Sequence, residues 1–215
     1  CRKKNFNVEI LDCEAEKLDY ISGATEIKNR KPRVACFVVY GQQPSASSQN
    51  MEGAVATSQE LKKLEPSIKT IFVGGHISAL PKETLSSESS IDFVALNEGV
   101  YAISNLLKIQ NLDEEKYIKK VKGIGYKDKE NNIYLNEPEI IVPKKLLEID
   151  LPGIAWDLLP SIKNYRTAGW HSWSNNSDKQ PFAALYTSLG CPYKCSFCMI
   201  NIINRMNHAD NISSQ

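Results

Sequence analysis

An open α/β sheet, doubly wound by helices and mainly parallel, is expected for this chain of 215 residues. Three observations lead there. The stretches 33–41 (RVACFVVYG), 68–75 (IKTIFVGG) and 91–99 (IDFVALNEG) are nearly unbroken apolar runs of strand length, the texture of parallel strands covered on both faces. Stretches with helical periodicity lie between them. Each run also ends in small or polar residues, so the turns fall at corresponding places. Strands alternating with helices at this spacing imply βαβ units.

Taken in order, VEILDC (8–13) predicts a first short strand, placed over residues 7–12. KLDYISGATEIKNRKP (17–32) follows as a helix closed by Pro32. After the strand at 33–40, QQPSASSQN (42–50) reads as a polar loop whose end caps a helix over roughly 50–65. There Met51, Val55, Ser58, Leu61 and Leu64 share a face, with Pro66 beyond. Strands at 69–74 and 92–96 come next, then a helix over roughly 98–109 carrying Val100, Ile103, Leu106 and Leu107. After Lys122 the texture changes. GIGYKDKENNIYLNEP (123–138) reads as a hairpin turning at KENN, and LPGIAWDLLP (151–160) with SWSNNSDKQP (172–181) as a long connection. FAALYTSLG (182–190) is a fresh strand. The expected organisation is one domain over 1–122, hairpin and connection over 123–180, and the start of another domain over 181–215.

Composition narrows the function. Hydrophobic residues make up 42% and charged ones 24%, the balance of an ordinary globular protein. A net charge of +1 gives no basic surplus for nucleic acid or acidic lipid. No stretch approaches the eighteen or so apolar residues of a membrane span. Cys1, Cys13 and Cys36 are scattered and read as ordinary small hydrophobes, core or incidental. Cys191, Cys195 and Cys198 are clustered, which suits a metal in a reducing, cytoplasmic setting better than a disulfide framework.

That cluster carries the strongest chemistry. Thiolates are natural ligands for zinc or iron–sulfur clusters. Structural zinc takes four ligands, typically two Cys-x2-Cys pairs; no second pair exists, and neither His171 nor His208 sits at finger spacing. Three thiolates on one loop can hold three irons of a four-iron cluster and leave the fourth open for reaction. A disulfide would leave one thiol over.

TSLGCPYKCSFC (187–198) resembles the cluster loop of radical S-adenosylmethionine (SAM) enzymes, including Phe197 just before the third cysteine. The pieces before it, VEILDCEAE, VGGHISALPKETL, IDFVALNEG, IGY and LPGIAWDLLP, are similar in kind and order to the cobalamin (B12)-binding subfamily. The resemblance implies a Rossmann-like (flavodoxin-like) cobalamin domain followed by the start of a (β/α) barrel. Cys191, Cys195 and Cys198 would ligate a 4Fe-4S cluster, SAM would chelate its fourth iron, and Phe197 would contact the adenine through its backbone. Gly74 and Gly75 match the glycine pair beside the cobalamin nucleotide tail, and Ser45, 29 positions earlier, matches the serine of a Ser-x-Leu loop in which Ser47 replaces the leucine. His76 would be a loop histidine near the corrin edge rather than a cobalt ligand. Glu98 and Gly99 would face cobalamin where the family commonly has Gly-Glu-Gly-Glu; Glu98 reads equally as a cap on the next helix. Asn97 tolerates unusual backbone angles, so that turn can survive. The Asp-x-His-x-x-Gly motif of a histidine-ligated cobalamin is absent, but it would follow a first strand expected upstream of Cys1.

The implied reaction is reductive cleavage of SAM to a 5′-deoxyadenosyl radical, serving methylation of an unactivated carbon or phosphorus centre. Radical cyclisation or oxidation of the tetrapyrrole cyclase type, and a non-catalytic cobalamin- or metal-binding module, are the alternatives. Expected partners are a small-molecule or lipid-like substrate and an electron donor such as flavodoxin or ferredoxin. Beginning at Cys1, the chain reads as a piece of a longer enzyme, expected to be inactive without the rest of its barrel. Trp156, Trp170, His171 and Trp173 read as packing for the connection.

Overall fold

A computed structural model describes residues 1–40, 46–165, 181, 183, 193 and 195–198. β-Branched and aromatic residues form the central strands β1 (Val34–Val39), β2 (Lys69–Gly74) and β3 (Phe93–Ala95). β1 pairs with β2 and β2 with β3, both parallel, with Val39 opposite Gly74 and Val73 opposite Ala95. The carboxyl ends of all three strands therefore share one rim. α1 (Tyr20–Arg30) precedes β1, α2 (Ala46–Leu64) joins β1 to β2, α3 (Gly75–Ala79) and α4 (Pro81–Ser87) join β2 to β3, and α5 (Val100–Leu106) follows β3.

Alternation along β2 divides the core. Ile71 and Val73 face one side with Phe93, Ala95, Ala102 and Leu106, while Phe72 faces the other with Val39, Ile77, Leu85, Ile91 and Val94. Phe37 stacks on Phe72 at 4.6 Å between ring centroids. At the opposite edge of the sheet from the rim, Asp92 Oδ2 accepts from Lys62 Nζ (2.6 Å), Thr70 N (2.7 Å) and Thr70 Oγ1 (3.0 Å). That carboxylate ties the starts of β2 and β3 to the end of α2.

Three expectations are corrected. Residues 7–12 form no strand. They have no ladder partner among the described residues, and their polar groups are engaged elsewhere: Ile10 O by Arg30 Nη1 (3.1 Å), Asp12 Oδ1 by Ala15 N (3.1 Å). α2 starts at Ala46, inside the expected polar loop. The hairpin, β4 (Ile124–Lys127) and β5 (Ile133–Leu135), does not stand apart: β4 adds antiparallel to β3, giving the order β1-β2-β3-β4-β5. Its turn is where expected, with Asp128 Oδ1 accepting from Glu130 N and Asn132 N. Of the scattered cysteines, Cys1 and Cys36 are exposed and Cys13 is half-buried, which is the incidental reading and not the core one. Cys36 shares a face of β1 with Val38, which is 67% exposed. β2 is the ladder partner of β1 among the described residues.

Beyond β5 the chain returns over the sheet. Asn136 Nδ2 donates to Ile118 O and Val121 O, Ile141 and Val142 are buried, and the path continues through short helical turns at Lys144–Leu146, Leu147–Asp150, Trp156–Leu158 and Ile162–Asn164. Residues 139–165 form a strap. No helix among the described residues is long and apolar enough to cross a membrane.

Candidate functional site

In open parallel sheets ligands gather beyond the carboxyl ends of the strands. Here that rim consists of Val39-Tyr40, Gly74-Gly75-His76 and Asn97-Glu98-Gly99. The expected rim residue Gly41 and the expected contact Ser45 lie outside the described residues.

The middle of the rim is bare backbone for a steric reason. A Cβ at Gly74 would stand 2.0 Å from the Val39 carbonyl oxygen and 3.1 Å from Ser47 Oγ. Only glycine permits β1 and β2 to finish so close together. Gly75 is not loop but the first residue of α3, whose N-cap, Gly74, offers no side chain. Ser47 supplies that cap from another helix: buried in the first turn of α2, it accepts from His76 N at 3.0 Å and donates to Val39 O. One hydroxyl thus joins β1, α2 and α3.

Other polar groups hold the rest of the rim. Tyr40 OH donates to Asn97 O (2.7 Å), Asn50 Nδ2 to Tyr40 O (2.7 Å), and Ser78 Oγ accepts from Asn97 N (2.9 Å). His76 Nδ1 meets Ser48 Oγ at 2.9 Å, and its ring lines an open cleft of about 410 Å³ with Met51, Val55, Thr84 and Glu88. The turn after β3 takes left-handed backbone at Asn97 (φ 59) and Gly99 (φ 69), as the Asn–Gly pattern allows. At Gly99 a Cβ would reach 2.8 Å from Val73 Cγ2.

Glu98 does not cap α5. One carboxylate oxygen accepts from Val142 N at 3.1 Å, fastening the strap to the rim. Burial pushes its carboxyl above the ordinary glutamate range, and the Val142 N–H opposes that shift.

A flat, amide-rimmed ligand of corrin size needs a shelf of backbone free of side chains, with its loops already fixed. Gly74-Gly75 and Gly99 on a rim braced by Ser47, Tyr40 and Asn50 fit that need. Of the thiol set, Cys195 and Cys198 share one tight turn, Cys198 N donating to Cys195 O at 3.1 Å, with Phe197 between them 91% exposed. An exposed thiol, Cys195, and a half-buried one, Cys198, on one turn fit a thiolate-held cluster in donor chemistry. Cys191, Trp170, His171, Trp173 and His208 lie outside the described residues.

The bracing roles of Ser47, Ser48, Tyr40, Asn50 and Ser78 escaped the sequence reading, which names Ser47 only in place of a leucine. The available signal was the serine pair Ser47-Ser48 at the start of α2, and the separation of Ser47 from His76 repeats that of Ser45 from Gly74.

Residues 1–107 match the family model of the B12 binding domain. Over 196 residues the chain is 28% identical to a protein of Pyrococcus horikoshii described as an uncharacterized methyltransferase; the match covers 91% of this chain and 38% of that relative.

Proposed function

We propose that the B12-binding domain in residues 1–107 holds cobalamin on the Gly74–Gly99 rim, as the cofactor-bearing part of a radical SAM methyltransferase. The observation that carries this reading is the glycine rim braced from Ser47, inside the stretch that matches the B12 model. When bound, cobalamin supplies a transferable methyl group, and a 4Fe-4S cluster with SAM supplies one-electron chemistry.

This chain's residues would do the placing. Gly74 and Gly75 offer backbone to a close-lying ligand. Ser47 and Tyr40 keep the three strand ends at fixed spacing, so little order has to be imposed on binding. Glu98 holds the strap beside the rim. Cys191, Cys195 and Cys198 would ligate the cluster, with Phe197 beside the adenine of SAM. The substrate would be a small or lipid-like molecule methylated at an unactivated carbon or phosphorus, with electrons from a flavodoxin- or ferredoxin-like donor.

Two measurements test the two halves separately. Titrated with hydroxocobalamin, the 215-residue chain should bind one equivalent, and Ser47→Ala should bind it more weakly. A folded chain without affinity for any cobalamin would overturn the first half. Reconstituted anaerobically with iron and sulfide, the protein should show the broad brown absorbance of a four-iron cluster, lost in Cys195→Ala. Stoichiometric zinc without iron uptake would overturn the second half.

A further inference from the structure

Glu98 stands between the rim and the strap, half-buried, in the turn after β3. Its Oε2 accepts from Val142 N at 3.1 Å, and among the described residues no lysine or arginine pairs with it. Three residues onward, Tyr101 OH donates to Asp150 Oδ2 (2.7 Å), so the rim and the first turn of α5 hold the strap at two places. The titratable groups facing Glu98 are Tyr40 from the end of β1, Tyr101 from α5, and Glu139 and Asp150 from the strap. Glu139 is engaged by Ile140 N (2.9 Å) and Asn105 Nδ2 (3.4 Å), and the nearby cation, Lys4, lies against Asp150 at 3.7 Å. Tyr101 records the crowding. Burial first, then the carboxylates of Asp150, Glu98 and Glu139, push its hydroxyl up to about 12.

We infer that Glu98 is a proton-controlled latch: its neutral carboxyl holds residues 139–150 of the strap to the rim, and its ionisation loosens them. The neutral acid fits the site, because its carbonyl oxygen accepts from Val142 N as a carboxylate does and it has no charge to desolvate. The anion fits poorly. One backbone N–H is a thin replacement for water, and the strap brings like charges in Glu139 and Asp150. Loosening the strap returns that anion to water. Burial raises the Glu98 carboxyl in the closed arrangement, against the opposing Val142 N–H, so the closed strap binds the proton more tightly than the open one. The latch therefore holds below the ordinary glutamate value of about 4.3 and weakens as pH rises through the raised value. Ile141 and Val142 are 4% and 0% exposed, so the strap stays mostly closed and the proton sets how often it opens. The device works in the same way whatever the rim holds.

The test is amide hydrogen exchange of the 215-residue chain, followed by NMR at about pH 4 and about pH 7.5, with each rate divided by its intrinsic value. From the acid to the neutral condition, protection at Val142 N should fall by about threefold or more relative to the β2 amides of Phe72 and Val73, since each unit of difference between the two states is worth tenfold. Glu98→Gln stays neutral and keeps an acceptor, so it should hold Val142 N at the acid level in both conditions. Glu98→Ala should lower protection in both. Tyr101→Phe cuts the second anchor without removing a group that titrates in this range, and should loosen the strap while leaving the ratio between the two conditions unchanged. Where Glu98→Ala fails to fold, the comparison of the parent with Glu98→Gln decides alone. Protection at Val142 N that is constant or rises with pH in the parent, or that falls equally in Glu98→Gln, would overturn the inference.

Discussion

Replacing Ser47 by alanine removes one oxygen from a side chain that is 1% exposed, so water cannot take its place. Two backbone groups then lose a partner. His76 N, in the first turn of α3, loses its cap, at about 1 kcal/mol. The Val39 carbonyl loses its hydroxyl donor, at about 1–3 kcal/mol for a buried group left unsatisfied. The void is small, so the expected loss is roughly 2–4 kcal/mol in all. Urea unfolding followed by far-UV circular dichroism would show this as a lower midpoint at unchanged slope. Hydroxocobalamin should also bind more weakly, since the ends of β1 and α3 are no longer joined. Ser48→Ala is the control. That residue is exposed and, among the described residues, its hydroxyl meets the His76 ring, so it should change stability by less than about 0.5 kcal/mol. If Ser47→Ala falls within about 0.5 kcal/mol of the parent, or Ser48→Ala costs as much, Ser47 does not brace the rim.

Asp92→Ala should cost about 2–4 kcal/mol, toward the low end because the pair is partly solvated, and a double-mutant cycle with Lys62→Met should give a coupling of about 1 kcal/mol; additive losses would show that the contact is incidental. Because burial raises the Glu98 carboxyl in the folded state, its stabilising contribution is present below the ordinary glutamate value of about 4.3 and is lost as pH rises through the raised value. Glu98→Gln keeps an acceptor for Val142 N and should therefore flatten the dependence of the urea midpoint on pH across that window; an identical dependence in both proteins would count against the assignment. Gly99→Ala, at φ 69 with its Cβ 2.8 Å from Val73 Cγ2, should cost about 1–3 kcal/mol, whereas Gly53→Ala, inside α2 with nothing within 4 Å, should stabilise by about 0.4–1 kcal/mol; thermal melts showing the reverse order would refute the steric reading.

Hydrophobic texture made β1, β2 and β3 legible to within a residue or two, because their burial is recorded in the residues themselves. VEILDC shows the limit. Its composition suits a strand, but a strand exists only with a ladder partner, and pairing is not a property of the segment. The hairpin was legible from Asp128 to Asn132, where the turn is local. Its addition to β3 was not, since Phe93 meets Tyr126 across more than thirty residues of sequence. At the rim, Gly74 and Gly99 stood out because a missing side chain leaves a mark in sequence. The Ser47 brace did not, because its acceptor and donor come from β1 and α3 and only folding brings them together. Glu98 looked like a cap or a ligand contact, and neither reading could have found a partner 44 positions onward in the strap.

The outer edge of β1 has a consequence for how the molecule behaves in company. VACFVV contains no charge and no proline, and its edge away from β2, which has no ladder partner among the described residues, presents backbone donors and acceptors at the regular spacing of a strand. Such a row is a template. An extended apolar segment of a neighbouring molecule can register against it and gain main-chain hydrogen bonds. Concentrated solutions are therefore where this domain is most at risk of edge-to-edge aggregation. Val38→Lys would place in that row a charge that every incoming strand must bury, which is how many natural proteins keep their sheet edges apart.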